Sequence, residues 1–240
     1  FQNVNEALDE TESKAWQKLL SVMTHEIMNS VAPISSLADT LKNRMNASRV
    51  SVKEENRAEF EEFELGISTI KRRSDGLLKF AQTYRNLNKI STLNISRVYI
   101  RDLFENMHRL MQPTLDQKNI DMEVVLKDPD IAIDADADLI EQVMINIILN
   151  AIEAVRESEV RLIVLSATTT QNKKTLIKIS DNGTGISDDL LDKIFIPFFS
   201  TKKTGSGIGL SLCKQIMMMH KGHLTVQSVA GEGTAFTMQF

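Results

Sequence analysis

The chain has 240 residues, of which 42% are apolar and 25% charged, and its formal net charge is −4. This composition is that of an ordinary globular protein; it excludes a largely disordered chain and offers no basic surface for nucleic acid or an anionic membrane. Cys213 is the only cysteine, which excludes a disulfide framework or a cysteine-rich zinc site within one chain and fits a reducing compartment.

The opening stretch, FQNVNEALDETESKAW, has neither an initiator Met nor the pattern of a signal peptide. No apolar run approaches the roughly 20 residues that cross a bilayer. The sequence therefore reads as a soluble, cytoplasmic portion of something longer, without membrane contact of its own, although the full-length protein is compatible with a membrane anchor. Before Asn94 the only helix breakers are Pro33, Gly66 and Gly76; after it come eight glycines and three prolines. The first part is expected to be helical and the second to be mixed α/β, with domains over 1–91 and 92–240.

Two segments of the first part carry alternating four-three spacing. One is Trp16, Leu20, Met23, Ile27, Ser30, Ile34, Leu37, Leu41; the other is Phe60, Phe63, Ile67, Ile70, Ser74, Leu77, Ala81, Tyr84. Such spacing describes a seam one face wide, as in coiled coils and four-helix bundles. Two helices enclose so long a seam poorly, so a homodimer forming a four-helix bundle is expected; the alternative is an intramolecular hairpin covered by the second domain. In this register Met23 and Ile27 take seam positions, which turns His25 toward the face remote from the bundle core, with Asn29 four residues along on the same face. By position alone, such a histidine is as readily a solvated surface residue as a reactive one.

From Lys89 to Asp102 the pattern reads as a linker entering a short strand. A helix follows to about Gln117, then strands near 120–126 and 131–134, and a helix over 136–157. Further strands are expected near 161–168 and 175–180, a helix from about Gly207 to His220, and two last strands at 222–228 and 234–240. Consecutive strands at the end suggest an α+β layer, one mixed sheet with helices on one face.

The helix over 136–157 sets Asn146 and Asn150 four apart among apolar residues, where an amide needs partners. The pair is either two satisfied surface amides or a source of oxygen for a hard cation such as Mg²⁺. SDNGTGI, Ser180 to Ile186, places a carboxylate at a strand end before two glycines. Asp181 can accept from an amino group such as that of adenine, and Gly183 and Gly185 let the backbone approach a flat ring; an ordinary turn uses the same residues. In IFIPFFSTKKTGSGIGLSL, Gly205, Gly207 and Gly209 lead into a helix whose free amides suit phosphate oxygens. Lys202 and Lys203 add positive charge there, and Phe195, Phe198 and Phe199 suit the anchor of a mobile lid. Leu210 after the last glycine excludes a Walker A loop. The last cluster, GHLTVQSVAGEGTAFTMQF, reads as a mainly structural hairpin. Met217, Met218 and Met219 read as gap-filling core, and a metal site at His220 and His223 is disfavoured because Gly222 interrupts their helix.

Taken together, Asn150, Asp181-x-Gly183-x-Gly185, Phe195/Phe198 and Gly205-x-Gly207-x-Gly209 resemble the N, G1, F and G2 boxes of the ATP-binding domain of sensor histidine kinases. That fold is shared with gyrase, mismatch-repair and chaperone ATPases. His25-Glu26-x-x-Asn29 resembles the H box of the same kinases, so the resemblance spans nearly the whole chain. It implies an all-α helical hairpin, dimerising as a four-helix bundle, followed by an α+β sandwich that binds ATP. It further implies Asp181 on the adenine amino group and Asn150 on Mg²⁺. Asn146, Gly183, Gly185, Ile186, Lys202, Lys203, Gly205, Gly207, Gly209 and Leu210 complete the nucleotide site. His25 would be the phosphoacceptor, Glu26 its orienting base, and a response-regulator receiver domain the partner, with Asn29 orienting water for the reverse dephosphorylation. The alternative is an ATP-binding scaffold acting mainly as a response-regulator phosphatase. Two positions depart from the family pattern. Ser30 stands where many members have proline, with Pro33 three later, and Glu153 stands where relatives are often basic.

Overall fold

A computed structural model describes residues 24, 26–47, 56–89, 93–202 and 207–240, without the side chains of 79–80 and 83–89. The expectations for Trp16, Leu20, Met23, His25, Lys203 and Gly205, and for the side chain of Tyr84, lie outside the described residues. The chain divides into two compact units, Phe1–Ser91 and Thr92–Phe240.

The first unit holds α1 over 26–47 and α2 over Arg57–Lys89. Helix α1 runs on through Pro33, although proline has no N–H to give to the carbonyl one turn back. A polar cluster ties the two helices. Ser35 Oγ donates to Asp75 Oδ1 at 2.7 Å, and Lys71 Nζ donates to Ser35 Oγ at 3.2 Å and to Asp75 Oδ1 at 2.9 Å. Lys71 also pairs with Asp39 at 2.9 Å. Exposed ion pairs add little stability, but this one fixes which turn of α1 faces which turn of α2. Ser35 and Ala38 on α1 and Ser74 and Ala81 on α2 are buried, whereas Leu37 is 63% and Phe63 60% exposed, with Ile34, Leu41 and Ile70 exposed beside them. On α2 the small seam members Ser74 and Ala81 lie inside as expected, but on α1 the buried residues Ser35 and Ala38 stand one position beyond the expected seam, whose members Ser30, Ile34, Leu37 and Leu41 face solvent.

In the second unit, the strands β1 (Ser96–Tyr99) and β3 (Ala132–Ala135) pair antiparallel as a separate ribbon. The main sheet has the order β2-β4-β5-β7-β6, from β2 (Asp121–Leu126), β4 (Leu162–Thr169), β5 (Thr175–Asp181), β7 (Gly233–Gln239) and β6 (His223–Val229). The expected single sheet is therefore two. Strand β2 runs parallel to β4, and the other pairings are antiparallel. Alternation does the sorting: Ile163, Leu165 and Ala167 on β4, Ile177 and Ile179 on β5, and Phe236 and Met238 on β7 are buried, as a sheet covered on one face requires.

The covering helices are α3 (Ile100–Lys118), α4 (Ala137–Ala154) and α6 (Gly209–Met219); α5 (Asp188–Leu191) is a single turn absent from the sequence expectation. Helix α3 buries Leu103, Phe104, Met107, Met111 and Leu115, and α4 buries Ile140, Val143, Met144, Ile147, Ile148, Ala151 and Ile152. On α6, Cys213, Ile216 and Met217 are buried, but Met218 is exposed, so only one of the three methionines in the run is full core. Burial pushes the Cys213 thiol up to about 12, which makes it a packing group rather than a reactive one. Among the described residues no helix is long and apolar enough to cross a membrane.

One imidazole joins α6 to the start of α4. His220 Nε2 lies 3.0 Å from the backbone nitrogen of Asp136, the N-cap of α4, and His220 Nδ1 lies 2.8 Å from the carbonyl of Ile216. The amide can only donate and the carbonyl only accept, so the proton is on Nδ1. Asp136 in turn accepts from Leu139 N–H at 3.4 Å and from Asn94 N–H at 3.0 Å. The residue that sequence reasoning tested as a metal ligand is thus a cap on two helix ends. His220→Leu leaves the Asp136 N–H without its partner, while the Ile216 carbonyl keeps the His220 backbone N–H at 3.2 Å, and a loss of about 1–3 kcal/mol is expected, read from urea unfolding of parent and variant.

Candidate functional site

The glycines and amides singled out by the sequence gather where the second half of α4, the end of β5 and the start of α6 converge. Asp181 ends β5, and its Oδ1 accepts from Gly183 N–H at 3.0 Å. A side chain at Gly183 would meet the Ala154 carbonyl carbon at 2.5 Å, so the loop after β5 lies directly on the end of α4, and Thr184 N–H donates to the Ala154 carbonyl at 3.2 Å. Gly185 has φ +66° and lies against the Val229 carbonyl, where a Cβ could not fit. Ile186 is half-buried, and its N–H donates to Ser228 Oγ at 2.8 Å. The loop is thereby clamped between α4 and the β6–β7 turn.

On α4, Asn146 and Asn150 are both half-buried. Asn150 Oδ1 accepts from Lys202 Nζ at 2.9 Å. Asn146 Nδ2 is buried with no oxygen or nitrogen acceptor, and the Cys213 thiol is the group its amide faces, which leaves a weakly satisfied donor with capacity for a ligand acceptor. Its Oδ1 lies 3.5 Å from where a Cβ on Gly209 would stand, so bare glycine lets α6 begin against the amide. Leu210, next along, is half-buried. At Gly207, φ is +69° and a Cβ would meet Phe198 C and Phe199 O at 2.5 Å each; Phe198 itself has φ +69°, rare for a bulky residue, and its N–H donates to the Gly207 carbonyl at 2.9 Å. These contacts join the two ends of the segment that contains Lys203 and Gly205. Phe195 is half-buried beneath the Lys214 ammonium, 5.6 Å from the ring centre. In the first unit, Glu26 and Asn29 lie on α1 and are exposed.

Burial holds the Asp181 carboxyl above its ordinary value; hydrogen bonds from the Gly183 and Thr234 backbone and the charge of Lys202 oppose the shift. Lys202 is exposed as a residue, yet desolvation of its ammonium lowers its pKa, against the pull of Glu153 and Asp181. Glu153, which departs from the family pattern, therefore leaves Lys202 as the positive charge of this corner. Sequence reading missed Thr234 and Ser228, which it placed in a structural hairpin. Thr234 is the register partner of both Asp181 and Ser228, and its signal was the alternation that puts it on the buried face with Phe236 and Met238.

A separate cavity lies at the far ends of α3 and α4. It measures about 460 Å³ and is lined by Lys118, Ile120, Ile152, Arg156 and Arg161. Both α3 and α4 end there, and Arg161 donates to the Lys118 carbonyl at 2.6 Å. Cations at helix C-termini answer exposed carbonyls, so this cluster is structural.

The donor set fits a magnesium nucleotide. Asn150 Oδ1 already takes a cation, and Mg²⁺ accepts a few protein oxygens while phosphates and waters fill its shell. No group of three or more His, Cys, Asp or Glu able to hold a metal occurs among the described residues, so Asn150 would serve together with the nucleotide itself. A half-buried carboxylate, glycines without room for Cβ, a weakly satisfied amide and a helix N-terminus define an ATPase-type nucleotide site, and residues 135–240 match the family described as "Histidine kinase-, DNA gyrase B-, and HSP90-like ATPase". The comparisons extend beyond that module. The sensor histidine kinase ZraS of Salmonella typhi is 28% identical over 220 residues, covering 92% of this chain and 44% of that protein. The signal transduction histidine-protein kinase AtoS of Escherichia coli K12 is 32% identical over 173 residues, covering 72% and 28%. The histidine kinase ThkA, solved in complex with the response regulator TrrA, shares the fold with a TM-score of 0.69 at 22% identity, covering 98% of this chain and 65% of that one. The chain belongs to the sensor histidine kinases of two-component systems. It spans about 44% of the length of ZraS.

Because the Asp181 carboxyl is raised, its charge weakens the unliganded fold. Its contribution is favourable when protonated and is lost as the pH rises through the raised value. Asp181→Asn is therefore expected to melt no lower than the parent at neutral pH and to lose its advantage on acidification. Thermal melts of both proteins across pH, without nucleotide, check this.

Proposed function

We propose that the chain is an ATP-dependent protein-histidine kinase that phosphorylates His25 and passes the phosphoryl group to an aspartate of a response-regulator receiver domain. The observation that carries the reading is the convergence of the half-buried Asp181 carboxylate with the Asn146 and Asn150 amides, within a chain whose relatives are sensor histidine kinases. Asp181 takes the adenine amino group. Asn146 Nδ2 and the N-terminal amides of α6 meet phosphate oxygens, and Lys202 turns from Asn150 to the phosphates. Mg²⁺ held through Asn150 supplies neutralisation of phosphate charge. Most of the rate enhancement then comes from in-line positioning and charge neutralisation.

His25 reacts through its unprotonated nitrogen. A nitrogen–phosphorus bond forms at the γ-phosphorus, its bond to the bridging oxygen breaks, and ADP leaves with the electron pair. Glu26 accepts the other imidazole N–H, fixing the tautomer and stabilising the cation as it forms. The receiver aspartate then displaces the imidazole from phosphorus. Asn29 orients water for the reverse task of dephosphorylating the regulator. ThkA, solved with TrrA, supports this class of partner. The chain acts as a homodimer, because the exposed row Ile34, Leu37, Leu41, Phe63 and Ile70 is an apolar face that a second copy would cover as a four-helix bundle.

Incubation with γ-labelled ATP and Mg²⁺ is expected to give acid-labile, base-stable label on the chain and none on His25→Gln. Acid-stable label would point to a hydroxyl acceptor, and tight nucleotide binding without label to a scaffold. ATP affinity is expected to weaken on acidification at a pH above the ordinary carboxyl value of 3.8, since the adenine amino group needs ionised Asp181. Titration of ATP at several pH values reads this directly. Leu37→Glu is expected to shift the chain from dimer toward monomer, measured by light scattering after gel filtration; an unchanged mass would remove this face from the interface.

A further inference from the structure

Three polar residues stand in one row across an end of the sheet: Asp181 on β5 pairs with Thr234 on β7, and Thr234 pairs with Ser228 on β6. Hydrogen-bond accounting fixes their polarity. Ser228 Oγ accepts from the Ile186 N–H at 2.8 Å, donates to the Gly233 carbonyl at 2.8 Å, and lies 2.9 Å from Thr234 Oγ1. A serine hydroxyl has one proton and two lone pairs. The carbonyl can only accept, so the serine proton is committed to it, and the contact with Thr234 must be donated by Thr234. The threonine proton is thereby turned toward Ser228. Thr234 reaches the Asp181 carboxylate through its backbone N–H, and its hydroxyl keeps only lone pairs to offer a ligand. Thr234 is buried, so water does not readily reset this orientation.

We propose that Ser228 is a positioning residue that sets base specificity: by taking the Thr234 proton it leaves Thr234 and Asp181 as two acceptors with no donor between them. This rests on the nucleotide-binding reading above and assigns its selectivity. A pair of acceptors suits a 6-aminopurine, whose exocyclic amino group carries two N–H bonds. A 6-oxopurine presents an acceptor there and meets like polarity. A carboxylate cannot change sign to accommodate it, but a free threonine hydroxyl could rotate and donate. Ser228 removes that freedom. The same hydroxyl pins the Ile186 amide, so the loop carrying Gly183 and Gly185 and the polarity of the row are set by one side chain.

The test uses the 240-residue chain with chelator, so that metal plays no part, and calorimetric titration with ADP and with inosine diphosphate. The parent is expected to prefer ADP. In Ser228→Ala the ratio of the two affinities should fall about three- to tenfold, as one reoriented hydrogen bond allows, whereas Ser228→Thr, which keeps a hydroxyl, should hold the parent ratio. An unchanged ratio in a folded Ser228→Ala overturns the proposal. Thr234→Val tests it without touching Ser228: ADP should lose more affinity than inosine diphosphate, and equal losses overturn it. Failure of the parent chain to bind either nucleotide, both with chelator and with added Mg²⁺, would overturn the nucleotide reading itself, and this inference with it.

Discussion

The half-burial of one carboxylate, Asp181, is the constraint around which the second unit is arranged. Removing a carboxylate from water disfavours its ionised form unless donors face it. Here the donors are backbone N–H groups, those of Gly183 and Thr234, with the Lys202 charge beyond them. Backbone donors demand register. The first requires that the chain turn back at once after β5, which only a residue without Cβ against Ala154 permits. The second requires that β7, not β6, lie beside β5. The sheet order and the glycine positions are both used in holding that half-buried carboxylate. A site tuned in this way is held at some cost to the stability of the unliganded fold.

The first unit solves a different problem. Its two helices carry a small or polar set, Ser35, Ala38, Ser74 and Ala81, inside. Small residues let helices approach closely, and the hydrogen bonds of Ser35 and Lys71 to Asp75 fix the register that apolar contacts alone leave open. The larger apolar members are left on the surface as a continuous face. An exposed apolar face of this kind on a helical hairpin is the feature on which the proposed pairing with a second copy rests.

Much of this was legible in the sequence, for identifiable reasons. Glycine and proline punctuation marked the change from helix to mixed structure, and period-two alternation located the strands, because both are local signals. The recess around Asp181 was legible because glycines there are required by close backbone approach. What escaped was non-local. No spacing in the sequence says that β7 inserts between β5 and β6, so Thr234 and Ser228 read as hairpin residues when their register makes them neighbours of Asp181. His220 was weighed only as a metal ligand and set aside because Gly222 interrupts its helix; its capping role escaped because its partner, the Asp136 amide, lies 84 residues earlier in the chain. The seam read as uniform because apolar spacing does not tell which of two adjacent faces a helix turns toward its neighbour.

The two amides of α4 show how chemistry is chosen on a shared scaffold. An ATP-splitting site needs a base for water; an amide cannot take that proton, and at position 146 its nitrogen is a buried donor facing only the weak acceptor of the Cys213 thiol. Such a donor stabilises negative charge on phosphate and gives nothing to a nucleophile. Asn150, one turn on, offers an oxygen and in this structure spends it on an ammonium. The pair thus presents one donor and one acceptor along a single helix face, which is the arrangement the proposed roles on phosphate and cation need. Under the proposed function, a site built that way leaves the phosphoryl group to a nucleophile other than water, which is the role proposed for His25.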